Sequence, residues 1–161
     1  PATPADPNRF GGRKIRVGEI GCGSVSGSYL PNLTSKDYIE VVSVCDIIPE
    51  RARKRAEQYK VPNVYPNIDA MLAGAEFDFL VNTTSMPSHY PVNKKGLEAG
   101  KHVWSEKPMA NTYLEGRALL DLAIKKGLRI WGAPAVVNSP QFAFMSKAIQ
   151  DGKLGNISAG H

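Results

Sequence analysis

The chain has 161 residues, of which 42% are hydrophobic and 22% charged, and its net charge is +5. This length suits a single domain, and the ordinary globular composition excludes a wholly disordered protein. Two cysteines cannot form a disulfide scaffold, and no apolar run approaches the roughly 20 residues that cross a bilayer, so we expect no membrane partner.

Residues 1–13 contain three prolines and two glycines without any hydrophobic periodicity, so we interpret them as a flexible arm. The arm has neither an initiator methionine nor the apolar core of a signal peptide. We therefore expect a cytoplasmic protein, or a periplasmic one if an export signal has been removed.

Beyond the arm, β-branched apolar runs alternate with helical patterns of about ten residues. The predicted strands are 14–20, 39–46, 63–65, 77–82, 101–106 and 128–132. The predicted helices are 24–35 with a bend at Pro31, 49–59, 68–72, 87–99, a segment from an Asn111 cap to about 126, and 139–150. Such alternation is typical of right-handed βαβ units, so we predict an α/β fold with a mostly parallel sheet of about six strands and helices on both faces.

The densest basic segment, Arg51 to Arg55, falls within the second predicted helix, with few aromatic residues nearby. Proteins that bind single-stranded nucleic acids interleave basic side chains with aromatic platforms for the bases. We therefore interpret this segment as a solvated helix face and expect no nucleic-acid partner.

A glycine-rich segment joins the first predicted strand to the first predicted helix and reads Gly-Cys-Gly-Ser-Val-Ser-Gly from Gly21. Gly21 permits a tight turn, and Gly23 lets the backbone approach a pyrophosphate. Free N–H groups at the helix start would then hold the phosphates. The usual pattern has a third glycine where this chain has Ser26, which is small enough to preserve helix–strand packing. The segment predicts a dinucleotide-binding loop.

The second predicted strand ends at Asp46, a position from which a carboxylate can accept hydrogen bonds from both adenosine ribose hydroxyls. Its charge would repel a 2′-phosphate, which favours NAD over NADP. Arg51 lies just downstream and could pair with a 2′-phosphate, so NADP stays open. Asp46 could instead be a turn residue before Pro49. Methyltransferases also combine a glycine loop with an acidic residue after the second strand. The residues after the fourth and fifth strands discriminate between a methyltransferase and a dinucleotide-binding protein.

Residues 97–108 read Leu-Glu-Ala-Gly-Lys-His-Val-Trp-Ser-Glu-Lys-Pro. This segment resembles the signature of the Gfo/Idh/MocA oxidoreductase family, which includes glucose–fructose oxidoreductase and inositol dehydrogenase. The glycine loop, Asp46, the Thr84…His89 turn and the Glu-Lys-Pro triplet occur in family order, and the resemblance covers about residues 14–157. It implies a Rossmann-type doubly wound sheet that binds NAD or NADP. The implied reaction transfers hydride between nicotinamide and a sugar, cyclitol or related alcohol.

The loop pattern and the resemblance together give one set of site residues. The predicted cofactor-binding residues are Gly21, Gly23, Ser24, Val25, Ser26, Asp46, Arg51, Thr83, Thr84, His89, Glu106, Pro108 and Asn138. The resemblance implies that Ser24 and Val25 meet the pyrophosphate through their amides and that Thr83 and Thr84 lie beside the dinucleotide. The family usually has Thr-Pro where this chain has Thr84-Ser85, and often an arginine near Asn138. These departures leave the local loop shape and the role of Asn138 open.

Lys107 is the predicted catalytic residue. Oxidation of an alcohol requires removal of the hydroxyl proton as the hydride leaves, and a lysine at the carboxyl end of a central strand lies on the ligand edge of the sheet. The resemblance implies that Glu106 binds the nicotinamide ribose and that Pro108 follows a cis peptide bond, which turns Lys107 toward the cleft. Lys107 could instead be a surface residue, and Glu106 an ion-pair partner of Lys107 or His102.

Several other residues carry open alternatives. His89 either contacts the cofactor or only begins a helix, and His102 is interpreted as structural. Cys22 could be a thiolate stabilised by a helix start, although a small residue filling a tight turn is favoured, and Cys45 is interpreted as buried. Glu19 is a carboxylate in a strand that should be apolar, where it could pair with a basic group or shape the adenine side of the cleft.

Family members carry a second domain, an open antiparallel sheet with helices, after the segment that resembles residues 152–157. We therefore divide the chain into the arm, a dinucleotide-binding domain over 14–137, and a helix with the opening of a strand (156–159) over 138–161. We expect this chain to hold cofactor, to be inactive alone, and to form homo-oligomers in full length through the second domain. An NAD-dependent glycoside hydrolase and a non-catalytic nucleotide-sensing domain remain alternatives, and no metal site is predicted.

Overall fold

The computed structural model describes residues 12–133 and 139–158. Within these ranges the strands are β1 (Ile15–Ile20), β2 (Ile39–Cys45), β3 (Asn63–Tyr65), β4 (Phe79–Asn82), β5 (His102–Ser105) and β6 (Ile130–Gly132). The helices are α1 (Ser26–Thr34), α2 (Pro49–Tyr59), α3 (Ile68–Ala73), α4 (Met86–Glu98), α5 (Tyr113–Lys125) and α6 (Pro140–Gln150). Every helix and strand predicted up to residue 150 is present, although several ends are shifted. The predicted site residue Asn138 and nearly all of the predicted arm lie outside the described residues.

The strands form one parallel sheet in the order β3-β2-β1-β4-β5-β6. The direction of winding reverses between β1 and β4, and doubly wound sheets bind their ligands at the carboxyl ends of strands at such a point. Ile20 of β1 lies beside both Cys45 of β2 and Asn82 of β4, so these three strands end side by side. The predicted Rossmann-type doubly wound sheet is confirmed.

Two apolar clusters cover the two faces of the sheet. One packs α3, α4 and α5 through Met71, Leu97 and Leu119, and the other packs α1 and α2 through Leu30 and Ala52. Strand side chains alternate between the faces, which is why a run such as that of β1 can contribute to both clusters. The two layers fix the loops at the carboxyl edge of the sheet.

One local prediction is wrong. Thr112 rather than Asn111 caps α5: the Thr112 hydroxyl accepts a hydrogen bond from the Glu115 amide, and the Glu115 carboxylate accepts one from the Thr112 amide. This reciprocal pair needs a threonine three residues before a glutamate, a spacing that only Thr112 has. The predicted strand opening at 156–159 stays a prediction: residues 156–158 have no strand beside them in the described part of the chain, and residue 159 lies outside it.

None of the helices in residues 12–133 and 139–158 is both long and apolar enough to cross a membrane. Over the same residues, the histidine, cysteine, aspartate and glutamate side chains form no group of three that could hold a metal ion.

Candidate functional site: a cleft at the carboxyl edge of the sheet

A cleft of about 390 Å³ opens at the carboxyl ends of β1, β2 and β4. Eight of the predicted cofactor-binding residues line it: Gly21, Gly23, Ser24, Val25, Asp46, Arg51, Thr83 and Thr84. The lining also includes Ile47, Asn67, Ile68, Ser85, Ser88 and Val92, which the sequence did not single out. A larger hollow of about 880 Å³ lies at the amino end of the sheet, but it contains no predicted site residue and lies opposite the edge where doubly wound folds bind ligands.

The glycine loop turns tightly against the end of β4. Gly21 has φ +98°, a conformation that side chains disfavour, and a Cβ there would lie 2.5 Å from the Thr83 carbonyl carbon and the Thr84 amide nitrogen. Gly23 differs, because a Cβ built on it meets no atom within 4 Å. The space beside Gly23 is therefore open toward the cleft, as the approach of a ligand to the backbone requires.

The start of α1 presents donors to this cleft. Among the described residues, no group accepts a hydrogen bond from the amides of Gly23, Ser24 and Val25. These N–H groups add to the positive end of the helix dipole, and the combination attracts anions. The loop can therefore hold a phosphate group through backbone donors alone.

Ser26 and Arg55 hold the glycine loop through hydrogen bonds to its backbone. The buried Ser26 hydroxyl donates to the Gly23 carbonyl at 2.7 Å and accepts from Arg55 Nε at 3.0 Å. Arg55 Nη2 also donates to the Gly23 carbonyl, at 2.9 Å. The Ser26 side chain thus contacts the loop itself. Arg51, Arg53 and Lys54 are exposed, as the predicted solvated face requires, whereas Arg55 departs from that prediction because it contacts the loop. Arg51 and Arg55 are four residues apart on α2, a spacing that could have indicated a shared face toward the loop.

Asp46 has the turn role that was the alternative to ribose binding, and it also lines the cleft. Its buried carboxylate accepts hydrogen bonds from the Cys22 amide at 2.7 Å and from the Ile48 amide at 2.8 Å, so it holds both the glycine loop and the turn before α2. Each carboxylate oxygen has more than one acceptor site, which leaves capacity for a ribose hydroxyl. Arg51 is exposed and lines the same cleft.

The end of β4 is tied to both neighbouring loops. Thr83 is buried, and its Oγ1 lies 2.7 Å from the Gly21 carbonyl oxygen. His89 is also buried, with Nδ1 2.6 Å from the Pro108 carbonyl oxygen and Nε2 2.9 Å from the Thr84 carbonyl oxygen. A neutral imidazole can donate to one of these carbonyls and a protonated one to both. His89 lies outside the lining of the cleft, so it joins two of the site loops rather than facing a ligand.

A buried amide network was missed by the sequence reasoning. Asn82 Nδ2 donates to Asn93 Oδ1 at 2.8 Å, and Asn93 Nδ2 lies 2.9 Å from both Ser105 Oγ and the Met109 carbonyl oxygen. These bonds connect the ends of β4 and β5 through α4. An asparagine inside an otherwise apolar helix face was the one signal that could have indicated it.

Glu106 is held by two donors. Tyr29 of α1 donates its hydroxyl to Glu106 Oε1 at 2.6 Å, and the Lys107 amide donates to Oε2 at 3.1 Å. Trp104 Nε1 donates in turn to the Tyr29 hydroxyl at 3.2 Å. Burial, followed by the hydrogen bond to Glu106, raises the pKa of Tyr29 to about 12. Among the described residues Glu106 forms no ion pair with the Lys107 ammonium or with His102, the two alternative partners considered for it. His102 instead accepts a hydrogen bond from the Arg129 amide.

The Lys107–Pro108 peptide bond is cis, as the resemblance implied. The Lys107 and Pro108 side chains are exposed, and neither they nor Glu106 line the cleft beside the glycine loop. They lie at the end of β5, one strand further along the sheet from β4.

Both cysteines are buried and free. Burial raises the pKa of Cys22 and of Cys45 to about 12, with the neighbouring carboxylates adding to the effect. Burial therefore disfavours the thiolate considered for Cys22, and its 3% exposure fits the preferred interpretation as a small residue filling the turn.

Comparisons with known proteins agree with this geometry. Residues 15–133 match the model of an oxidoreductase family with an NAD-binding Rossmann fold, named GFO_IDH_MocA. D-apiose dehydrogenase of Paraburkholderia graminis is 28% identical over 96% of this chain and 40% of its own length. Inositol 2-dehydrogenase/D-chiro-inositol 3-dehydrogenase of Lactiplantibacillus plantarum is 28% identical over 87% of the chain and 41% of its own.

The structure of the WlbA dehydrogenase from Bordetella pertussis, in complex with NADH and UDP-GlcNAcA, superposes with a TM-score of 0.83 and 29% identity. The superposition covers 90% of this chain and 44% of the WlbA chain. The chain thus spans about two fifths of the curated relatives it matches, and the matched part is the cofactor-binding part. These relatives are oxidoreductases, and nothing in them supports a glycoside hydrolase, a methyltransferase or a nucleotide sensor. The fold, the loop and the family match agree: the chain belongs to the Gfo/Idh/MocA oxidoreductase family and is its NAD-binding Rossmann domain.

Proposed function

We propose that this domain supplies the nicotinamide cofactor to an enzyme that transfers hydride between NAD and a sugar, cyclitol or related alcohol. The observation that carries the proposal is the cleft in which the unpaired amides of the glycine loop face the same space as Asp46. The names of the relatives support the substrate class, since they include an apiose and an inositol dehydrogenase.

The residues of the cleft fit a dinucleotide. We assign the pyrophosphate to the amides of Gly23, Ser24 and Val25, and the adenosine ribose to Asp46. Thr83 and Thr84 form the wall beside it, and Arg51 at the rim leaves NADP as a second cofactor. The nicotinamide, when bound, accepts or donates the hydride.

The loop after β5 is assigned to the reacting end. We assign Glu106 to accept a hydrogen bond from the nicotinamide ribose, a role supported by the way Tyr29 and the Lys107 amide orient its carboxylate. Lys107 is assigned as the residue that takes the proton of the substrate hydroxyl, a step that its side chain performs in the neutral amine form, because the exposed side chain can reach a substrate. We retain Pro108 and His89 as residues that shape this loop, His89 through its contact with the Pro108 carbonyl. Asn138 is retained as a contact for nicotinamide or substrate.

The rest of the substrate pocket belongs, in this proposal, to a second domain, because this chain spans only about two fifths of its relatives. We assign the homo-oligomer interface to that domain as well. A cytoplasmic location is supported by two buried cysteines that remain free thiols.

The test has two parts. The 161-residue chain should bind NADH, yet form no NADH when incubated with NAD and a panel of aldoses and cyclitols. In a protein where this chain is followed by a substrate domain, Lys107→Ala should lower kcat by at least about 100-fold with little change in NAD affinity. Ordinary turnover by the chain alone, or an unchanged kcat in the variant, would contradict the proposal.

A further inference from the structure

Glu19 is a buried carboxyl group that no step of the proposed function uses. It lies on β1 between Val44 of β2 and Val81 of β4, and its side chain is 0% exposed. Among the described residues, Oε2 has no hydrogen-bond partner, and Oε1 has one, the Thr83 hydroxyl at 3.2 Å. The group is therefore shielded from water directly beneath the glycine loop.

The hydrogen atoms available at Thr83 indicate the state of this carboxyl. Thr83 Oγ1 lies 2.7 Å from the Gly21 carbonyl oxygen, 3.2 Å from the Ile20 carbonyl oxygen and 3.2 Å from Glu19 Oε1. Carbonyl oxygens and an ionised carboxylate only accept, and a threonine hydroxyl has one hydrogen to donate. If Glu19 is ionised, three acceptors compete for that hydrogen. If Glu19 is protonated, it donates to Thr83, and Thr83 donates to Gly21.

The charged groups around Glu19 do not offset the negative charge that its carboxylate would carry when ionised. The cation nearest to it on α2 is Arg55, whose guanidinium donates to Ser26, Gly23 and Gln58 rather than to Glu19. The other titratable groups facing this region from α1, β2 and the loops after β1, β2 and β5 are neutral or acidic: Cys22, Tyr29, Cys45, Asp46 and Glu106. Burial raises the pKa of Glu19 to about 8, against smaller opposing effects of Thr83 and Arg55.

We propose that Glu19 is a positioning residue that acts as a neutral acid: its hydroxyl donates to Thr83, which then donates to the Gly21 carbonyl and holds the glycine loop in its binding conformation. Loss of the proton to solvent leaves a buried negative charge with an unpaired oxygen. The loop must then open to admit water, and its amides no longer converge on the phosphates. The inference rests on the proposed role of this loop in binding the cofactor.

The test compares the pH dependence of NADH binding by the 161-residue chain and its Glu19→Gln variant, followed by NADH fluorescence. A glutamine amide can donate to Thr83 at every pH, so the variant keeps the relay without the ionisation. We expect the Kd of the wild-type chain to rise about tenfold between about pH 7 and about pH 9.5, and that of the variant to change by less than about twofold. Glu40→Gln is a matched change at the exposed amino end of β2, and its Kd for NADH should depend on pH as that of the wild type does.

Parallel pH profiles of the wild type and Glu19→Gln would overturn the inference. A second measurement does not depend on the variant folding: the carboxyl carbon of Glu19, followed by carbon-13 NMR, should titrate near pH 8. Titration in the ordinary range near pH 4 would also overturn the inference. If the wild-type chain binds no NADH at any pH, the cofactor assignment fails, whereas the NMR titration still decides the state of Glu19.

Discussion

Tyr29 and Glu106 lie 77 residues apart in the chain, yet their side chains share a hydrogen bond of 2.6 Å between the tyrosine hydroxyl and Oε1. Tyr29 belongs to α1, the helix that begins at the glycine loop, and Glu106 follows β5. The bond therefore joins the segment assigned to the pyrophosphate with the segment assigned to the nicotinamide ribose. It fixes their spacing before any ligand binds.

Tyr29→Phe should weaken NADH binding by about 3- to 10-fold, because Glu106 loses the donor that orients it. Stability should fall by about 1 kcal/mol, as is usual for a lost hydrogen bond of this kind. NADH fluorescence titration and urea unfolding measure the two effects. Tyr38→Phe is the matched control, since Tyr38 is exposed. Equal NADH affinities in the two variants would show that the Tyr29–Glu106 bond does not organise the site.

Asp46→Asn should change cofactor preference. The substitution removes the charge that repels a 2′-phosphate and keeps an oxygen that can accept from the Cys22 or Ile48 amide. We expect the ratio of the NADP and NAD dissociation constants to fall by at least about tenfold. Any general loss of loop order cancels in this ratio, which calorimetry can measure for each cofactor. Asp37→Asn, at the opposite end of β2, should leave the ratio unchanged, and an unchanged ratio in Asp46→Asn would refute the ribose assignment.

Asp78 should make the fold sensitive to acid. Partial burial alone would raise its pKa, but hydrogen bonds from the Arg13 guanidinium, the Arg16 amide and the Arg16 guanidinium outweigh it and lower the pKa to about 2. Because the folded pKa lies below the unfolded one, this contribution is present above about pH 4 and is lost as the pH falls toward about 2.

Asp78→Asn should therefore be about 1–2 kcal/mol less stable than the wild type at neutral pH, and the difference should disappear near pH 2. Urea unfolding at several pH values measures both quantities. A stability difference that stays constant over this range would mean that the ion pairs with Arg13 and Arg16 do not stabilise the fold.

Much of this architecture was accessible from the sequence. The alternation of apolar strands and helical patterns predicted the order of helices and strands, and local spacing predicted that Gly21 and Asp46 would meet at one sheet edge. Both predictions depend on residues close together in the chain or on a rule of topology. They needed no knowledge of side-chain packing.

Contacts between distant side chains could not be predicted in the same way. Nothing in the local pattern pairs Tyr29 with Glu106 or Asn82 with Asn93, because each pair is set by how two packed layers align. Glu19 stands out in the sequence as a carboxylate in an apolar strand, but its contact with Thr83 is set by the pairing of β1 with β4.

In the proposed function, the open space beside Gly23 holds the phosphates of NAD. Gly23→Ala tests it most directly, since a Cβ there meets no protein atom within 4 Å and the fold should tolerate it. An NADH titration should show a Kd at least about tenfold higher than that of the wild type, with unchanged unfolding in urea. Gly116→Ala on α5, where a Cβ makes only ordinary contact, should bind NADH as the wild type does. Wild-type NADH affinity in a folded Gly23→Ala chain would contradict the assignment of this cleft.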